Sequence, residues 1–139
     1  MSDWETFLSW ARGMAMNADL DSEEREFKIE VARKLAGALN AVRDEEVDWY
    51  SQLRHELQNT NLLPWQFTDA LFKQATAQSA SLRTAIVEFL EREPSPDSLD
   101  AFTEQIKEIH PGATLGNLVA FASLILMSRD PQSFPPYRA

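Results

Sequence analysis

The chain has 139 residues, of which 44% are hydrophobic and 25% are charged, and this composition is ordinary for one folded globular domain. It contains no cysteine, which excludes a disulfide scaffold, a thiol nucleophile and any zinc or iron–sulfur site that is ligated by cysteine. The net charge of −9 opposes nonspecific attraction to nucleic-acid phosphates and to anionic lipid surfaces.

No targeting or membrane-spanning signal is apparent in the sequence. The acidic start from Met1 to Glu5 lacks the basic and apolar runs of a signal peptide. The longest strongly apolar stretch runs from Leu115 to Met127, whereas a helix that crosses a bilayer needs about 20 residues. We therefore expect a soluble, cytoplasmic protein without membrane contact.

Apolar residues recur at spacings of three and four along most of the chain, which predicts amphipathic helices and no strands. The first predicted helix follows Asp3 as its N-cap and carries one apolar face, formed by Trp4, Phe7, Leu8, Ala11 and either Met14 or Ala15. The second begins with Asp21 and Glu24, spaced as in a capping box, and pairs Glu30 with Lys34. Its apolar stripe consists of Phe27, Val31, Leu35, Ala38 and Val42.

Polar and proline-containing segments divide residues 44–110 into four further predicted helices. Residues 44–46 are acidic and predict the first turn of the third helix, which ends at residues 59–61. Its face carries Val47, Tyr50, either Leu53 or Arg54, and Leu57. Pro64 fits the first turn of the fourth helix. Ser79 or Ser81 caps the fifth, residues 94–96 stop it, and Asp97 or Ser98 opens the sixth, which ends at residues 110–112.

The seventh predicted helix is capped by Thr114 and is apolar on more than one face, which is typical of a helix in the centre of a bundle. The sequence therefore predicts an all-α fold, an irregular bundle of six to seven helices that occupies residues 1–130 as a single domain. Residues 131–139 contain three prolines and predict an extended arm that leads out to a following domain.

No catalytic, metal-binding or cofactor-binding motif is found in the sequence. His55 and Glu56 resemble the start of a zinc-protease motif, but position 59, where the second histidine would stand, is Asn59. There is no glycine-rich phosphate loop and no serine in a nucleophile-elbow pattern. We expect no catalytic residue, metal or cofactor. An alternative hypothesis is a small helical enzyme with a carboxylate pair.

Aromatic and amide side chains are the candidates for recognition. Asn59, Asn61 and Trp65 lie in a predicted loop next to Arg54 and His55, and such side chains recognise a base edge or a peptide backbone. Alternatively, the amides cap helices and Trp65 fills the core.

Further aromatic residues are candidate partner contacts or, alternatively, helix-packing residues. Trp4 and Trp10 are six positions apart, and Trp49 and Tyr50 are adjacent, so one residue of each pair is expected at the surface, and Trp10 and Trp49 are the candidate contacts. In the arm, the candidate contacts are Phe134, Tyr137 and Arg138, which fit either a polyproline ligand or a lead-out to another domain.

Three stretches together resemble one family: residues 4–39, the segment Thr60-Asn61-Leu62-Leu63-Pro64-Trp65, and the apolar helix that leads into Arg129-Asp130-Pro131-Gln132-Ser133-Phe134-Pro135-Pro136-Tyr137-Arg138. The chain resembles the helical N-terminal region of bacterial McrB-like AAA+ NTPases, the motor subunits of modification-dependent restriction systems. In that family the motor domain follows this region and hydrolyses GTP or ATP. None of its nucleotide-binding motifs is present here.

The resemblance implies a non-catalytic recognition or regulatory domain, because N-terminal domains of that family often select DNA, commonly modified DNA. A DNA partner is opposed by the net charge and requires a local basic patch, for which Arg33, Lys34 and Arg54 are the candidates. The alternative is a protein–protein interaction module of a bacterial defence system without DNA contact. Its partner is another protein or the following AAA+ domain.

Overall fold

The computed structural model describes Glu5, residues 22–60 and residues 62–129 of the protein. This part of the chain contains helices and no strand, which confirms the predicted all-α bundle. Its helices are α1 (Ser22–Arg43), α2 (Trp49–Asn59), α3 (Trp65–Ala75), α4 (Ser79–Glu91), α5 (Pro96–Ile109) and α6 (Leu115–Arg129). The first predicted helix and the Pro-rich arm lie outside the described residues, apart from Glu5, which is helical.

Helix α6 lies in the centre of the core. All ten residues from Leu118 to Met127 are buried, so this helix has no polar face over nearly three turns. It packs against α1 and α5, and the ring of Phe121 lies 5.3 Å from that of Phe102 in α5 and 6.1 Å from that of Phe67 in α3. The predicted central position of this helix is confirmed.

The apolar stripe of α1 lies against this core, as its spacing predicts. Four of its five predicted members are buried, namely Val31, Leu35, Ala38 and Val42. The fifth, Phe27, is 46% exposed, so the predicted stripe is one turn too long at its N-terminal end. In addition to α6, helix α1 packs against α2 and α4.

Residues 44–48, which we call the Val47 turn, do not begin a helix as predicted. The Glu45 N–H donates to the Val42 carbonyl at 3.2 Å, the Glu46 N–H donates to the Ala41 carbonyl at 3.0 Å, and Glu45 has a left-handed φ of 55°. This is the Schellman arrangement that ends a helix. The acidic residues therefore close α1, Val47 is fully exposed, and α2 begins only at Trp49.

Of the predicted N-caps in the later helices, one is confirmed and two are wrong. Thr114 caps α6 as predicted, because its Oγ1 accepts from the Asn117 N–H at 3.2 Å. Helix α5 is capped by Ser95, which forms a capping box with Ser98, rather than by Asp97 or Ser98 as predicted. Residue 78 is the N-cap of α4 and makes no side-chain capping bond, so neither predicted serine caps that helix.

Helix α4 also holds the C-terminal end of α1. The guanidinium of Arg83 donates to the carbonyl oxygens of Val42 at 2.8 Å and of Arg43 at 2.9 Å. A cation at this end of a helix bonds carbonyls that lack a partner within the helix and opposes the negative end of the helix dipole. This contact fixes the position from which the Val47 turn projects.

Across residues 22–60 and 62–129, none of the helices combines the length and the apolar character that crossing a membrane requires.

Candidate functional site

The two basic candidates on α1, Arg33 and Lys34, form ion pairs with Glu30. Arg33 Nη2 donates to both carboxylate oxygens of Glu30 at 2.7 Å, and Lys34 Nζ lies 3.9 Å from one of them. The hydrogen bonds from Arg33, together with the charges of Arg33 and Lys34, hold the pKa of Glu30 below its ordinary value. Arg33 is therefore already bound to a carboxylate, which a phosphate would have to replace.

The third basic candidate, Arg54, belongs to a network between α2 and α3. Its Nη2 lies 3.2 Å from Asp69 Oδ1, and Lys73 Nζ lies 2.9 Å from the other oxygen of the same carboxylate. The Arg54 guanidinium also lies 6.0 Å from the centre of the Phe72 ring. Two cations thus share one acid at a surface that is about one-third exposed at Arg54.

Helices α2 and α3 are antiparallel neighbours, and this arrangement builds the network. The Tyr50 hydroxyl donates to the Phe72 carbonyl, and Arg54 pairs with Asp69, so the pairing runs in opposite directions along the two helices. Tyr50 also packs edge-on against Phe72 at 5.1 Å. The three predicted basic residues therefore belong to two ion-pair networks, one around Glu30 in α1 and one around Asp69 in α3.

Trp65 is the most exposed aromatic side chain in the described part of the chain, at 68%. Its neighbours Leu62 and Leu63 are buried in its place, so the alternative in which Trp65 fills the core is excluded. Trp65 and Asp69 are four positions apart on α3 and therefore share one face. We call Trp65, Arg54, Asp69 and Lys73 the Trp65 patch.

The segment before Trp65 is held by a threonine, Thr60. The Thr60 hydroxyl donates to the Leu57 carbonyl and accepts from the Leu62 N–H, both at 3.2 Å. The Asn59 amide instead contacts the His55 ring at 3.0 Å on the exposed side of α2. Asn61 lies outside the described residues.

Trp49, a candidate partner contact, is only 9% exposed. It packs edge-on against Tyr50 at 5.5 Å, and Tyr50 is the half-buried member of this pair. Trp49 therefore acts mainly in helix packing, which corrects its prediction as a partner contact. The other predicted partner contacts, Trp10, Phe134, Tyr137 and Arg138, lie outside the described residues.

A shallow groove of about 440 Å³ lies between α1 and α2. Small side chains on both helices leave this space, since a Cβ placed on Gly37 would meet nothing within 4 Å. The groove brings the predicted residues Lys34 and His55 together, and it is also lined by Gly37, Ala38, Ser51, Gln52 and Glu56. Gly37 in the middle of a helix was the one sequence signal that could have indicated it.

The described residues offer little to acid–base or metal chemistry. From residue 26 to residue 129, none of the Asp and Glu side chains whose burial is described is buried, so the carboxylate pair that would support a small helical enzyme is not found among them. In residues 22–60 and 62–129, no three His, Cys, Asp or Glu side chains lie together in a way that could hold a metal ion. The buried hydroxyl of Thr68 has no hydrogen-bond partner among the described residues.

The fold and its surface define a small helical bundle whose most distinctive exposed feature is the Trp65 patch. No protein-family model matches the chain, and neither a curated protein nor a solved structure is significantly similar to it. The resemblance to the N-terminal region of McrB-like NTPases therefore stays a prediction.

Proposed function

We propose that this chain is a non-catalytic recognition domain of the McrB-like kind and that it binds a protein partner through the Trp65 patch. The observation that carries the proposal is the 68% exposure of Trp65, a large aromatic side chain of the kind that is enriched at protein interfaces. Tryptophan and arginine are also the residues that most often dominate the binding energy of protein interfaces.

The patch is suited to docking because it is fixed in place. Trp65 begins α3, and the two leucines before it are anchored in the core. Arg54 is held by Asp69 and by the ring of Phe72, so little side-chain entropy is lost when a partner binds. Pre-ordered side chains of this kind are typical of contact surfaces.

Charge favours a protein over a DNA duplex as the partner. The chain has 22 acidic and 13 basic residues, and each of the three basic residues predicted for DNA contact lies next to a carboxylate. A duplex, with many phosphates, would also have to bind against a net charge of −9.

Nucleic acid is the second candidate, and the same exposed ring is the observation that favours it. An exposed tryptophan is a platform on which an unpaired base stacks, and such stacking tolerates any base. This candidate requires a flipped or single-stranded base, because a duplex presents no free ring face.

The proposal is tested by quantitative affinity capture from bacterial lysate, followed by titration of the purified captured protein. Trp65→Ala is expected to lose at least ten-fold in affinity, whereas Leu115→Ala, which removes another half-exposed apolar side chain, keeps it. Equal binding by the wild type and Trp65→Ala would show that the patch is not the contact surface.

The choice between protein and nucleic acid is tested by mobility shift with modified and unmodified duplexes and with single strands across a salt series. We expect no salt-dependent shift of any duplex. A shift that weakens with salt and is lost in Arg54→Ala would contradict the protein assignment. A shift of single strands alone that is lost in Trp65→Ala would establish the second candidate.

A further inference from the structure

The Val47 turn carries an apolar side chain inside a ring of acids. Val47 is fully exposed, and Asp44, Glu45, Glu46 and Asp48 around it are exposed as well. The turn is not a loose loop, because the two backbone bonds to Ala41 and Val42 hold it against the end of α1. It is a fixed apolar projection with a surplus of negative charge.

The Trp65 patch has the opposite character. It exposes a flat apolar ring, and its charged members are two cations, Arg54 and Lys73, around the single carboxylate of Asp69. In a chain whose acids outnumber its bases by 22 to 13, this is a local surplus of positive charge beside an apolar surface. The patch is therefore complementary to the Val47 turn in charge and in apolar character.

Val47 and Trp65 lie at opposite ends of α2. The Val47 turn precedes Trp49, where α2 begins, and Trp65 follows Asn59, where α2 ends, so the 11 residues of the helix separate them. A helix of this length spans about 16 Å. Lys73 lies toward the turn's end of α2, because its neighbour Phe72 accepts a hydrogen bond from Tyr50. The turn therefore does not cover the Trp65 ring of its own chain, whereas the turn of a second copy is free to approach that ring.

We propose that the Val47 turn of one copy docks on the Trp65 patch of a second copy, so that the chains associate head to tail. Val47 packs on the Trp65 ring, and the acids of the turn lie against Arg54 and Lys73. Because the two contacting surfaces differ, each docked copy still presents a free patch or a free turn, and association continues beyond two copies unless it closes into a ring.

This contact is small, so the association is weak and depends on concentration. The net charge of −9 on each copy opposes it at low ionic strength. At about 0.15 M salt, the Debye length of about 8 Å screens this long-range repulsion more than the short-range contacts of the interface. The inference goes beyond the proposed function, since it names a second copy as an occupant of the patch.

The test is analytical ultracentrifugation of the chain at about 0.15 M salt over a wide concentration range. The wild type is expected to show a mass that rises with concentration beyond that of a dimer. Val47→Ser and Trp65→Ala each remove one of the two surfaces, so each protein alone is expected to stay monomeric. Both side chains are exposed, and circular dichroism checks that both variants remain folded.

Mixing the two variants decides the geometry. Val47→Ser keeps an intact patch and Trp65→Ala keeps an intact turn, so an equimolar mixture is expected to form a one-to-one dimer that grows no further. Leu115→Ala serves as the control and is expected to associate like the wild type. A wild type that is monomeric throughout, or a mixture that stays monomeric, would overturn the inference while leaving the binding of another protein through Trp65 intact.

Discussion

Helix α6 and the Trp65 patch differ in the burial of their large apolar side chains. In α6 every residue from Leu118 to Met127 is buried, so the helix has no exposed face over this range. Where the chain enters α3, three large apolar residues occur within four positions. Leu62 and Leu63 are buried, whereas Trp65 is exposed. In a helix, the spacing of apolar residues along the whole element thus determines which side chains are buried. In a connection between helices, the local direction of the chain determines it.

The largest expected effect tests the central position of α6. Phe121→Ala removes a fully buried ring that contacts Phe67 and Phe102, and it leaves a cavity in the core. We expect a loss of about 3–5 kcal/mol in the free energy of unfolding, measured by urea denaturation. Leu115→Ala, in the same helix but half exposed, should cost about 1 kcal/mol or less. Equal losses would contradict the central position of α6.

The next effect concerns the contact that holds the end of α1. Arg83→Met removes two charge-assisted hydrogen bonds to the carbonyls of Val42 and Arg43, and it should cost about 2 kcal/mol in urea denaturation. Arg83→Lys keeps the positive charge but loses the forked geometry, so about half of the loss is expected. A lysine variant as unstable as the methionine variant would show that geometry, not charge, supplies the whole effect.

A stabilising substitution tests the Val47 turn. Glu45 is the only residue other than glycine with a positive φ in the described part of the chain. Glu45→Gly should therefore raise the free energy of unfolding by about 1 kcal/mol, seen as a higher melting temperature. Glu46→Gly is the matched control and should lower it by about 0.5 kcal/mol, because its φ needs no glycine. The reverse order would exclude the Schellman arrangement.

The smallest effect compares two buried threonines. The Thr68 hydroxyl has no hydrogen-bond partner in the part of the chain that the structure describes, whereas the Thr103 hydroxyl donates to the Asp100 carbonyl at 3.1 Å. Thr68→Val should be neutral or stabilise by about 0.5 kcal/mol, and Thr103→Val should destabilise by about 1 kcal/mol in the same denaturation experiment. Destabilisation by Thr68→Val would mean that its hydroxyl does have a partner in solution.

Much of the fold is predictable because burial follows helical spacing. The stripe of α1 from Val31 to Val42, the uniformly apolar α6 and the Thr114 cap are all readable from residue type and position. Helix starts are less predictable, because residues 44–46 suit the first turn of a helix as well as the end of one. Only the backbone bonds to Ala41 and Val42 distinguish these possibilities.

The candidate site was less predictable, since it depends on pairs of helices. The sequence shows that Arg54 is basic but not that Asp69, 15 positions later, faces it across two antiparallel helices. Likewise, the groove beside Gly37 requires the pairing of α1 with α2. Trp65 was a correct candidate for exposure in one of two alternatives, and sequence alone did not choose between them.

The central claim is that the Trp65 ring is the surface through which this domain recognises a partner. The most direct measurement is hydroxyl-radical footprinting of Trp65 by mass spectrometry, on the dilute chain alone and in complex with the captured protein. We predict rapid oxidation of Trp65 in the free chain and strong protection in the complex, with Trp49 protected in both. A Trp65 that is protected in the free chain, or oxidised equally in the complex, would contradict the claim.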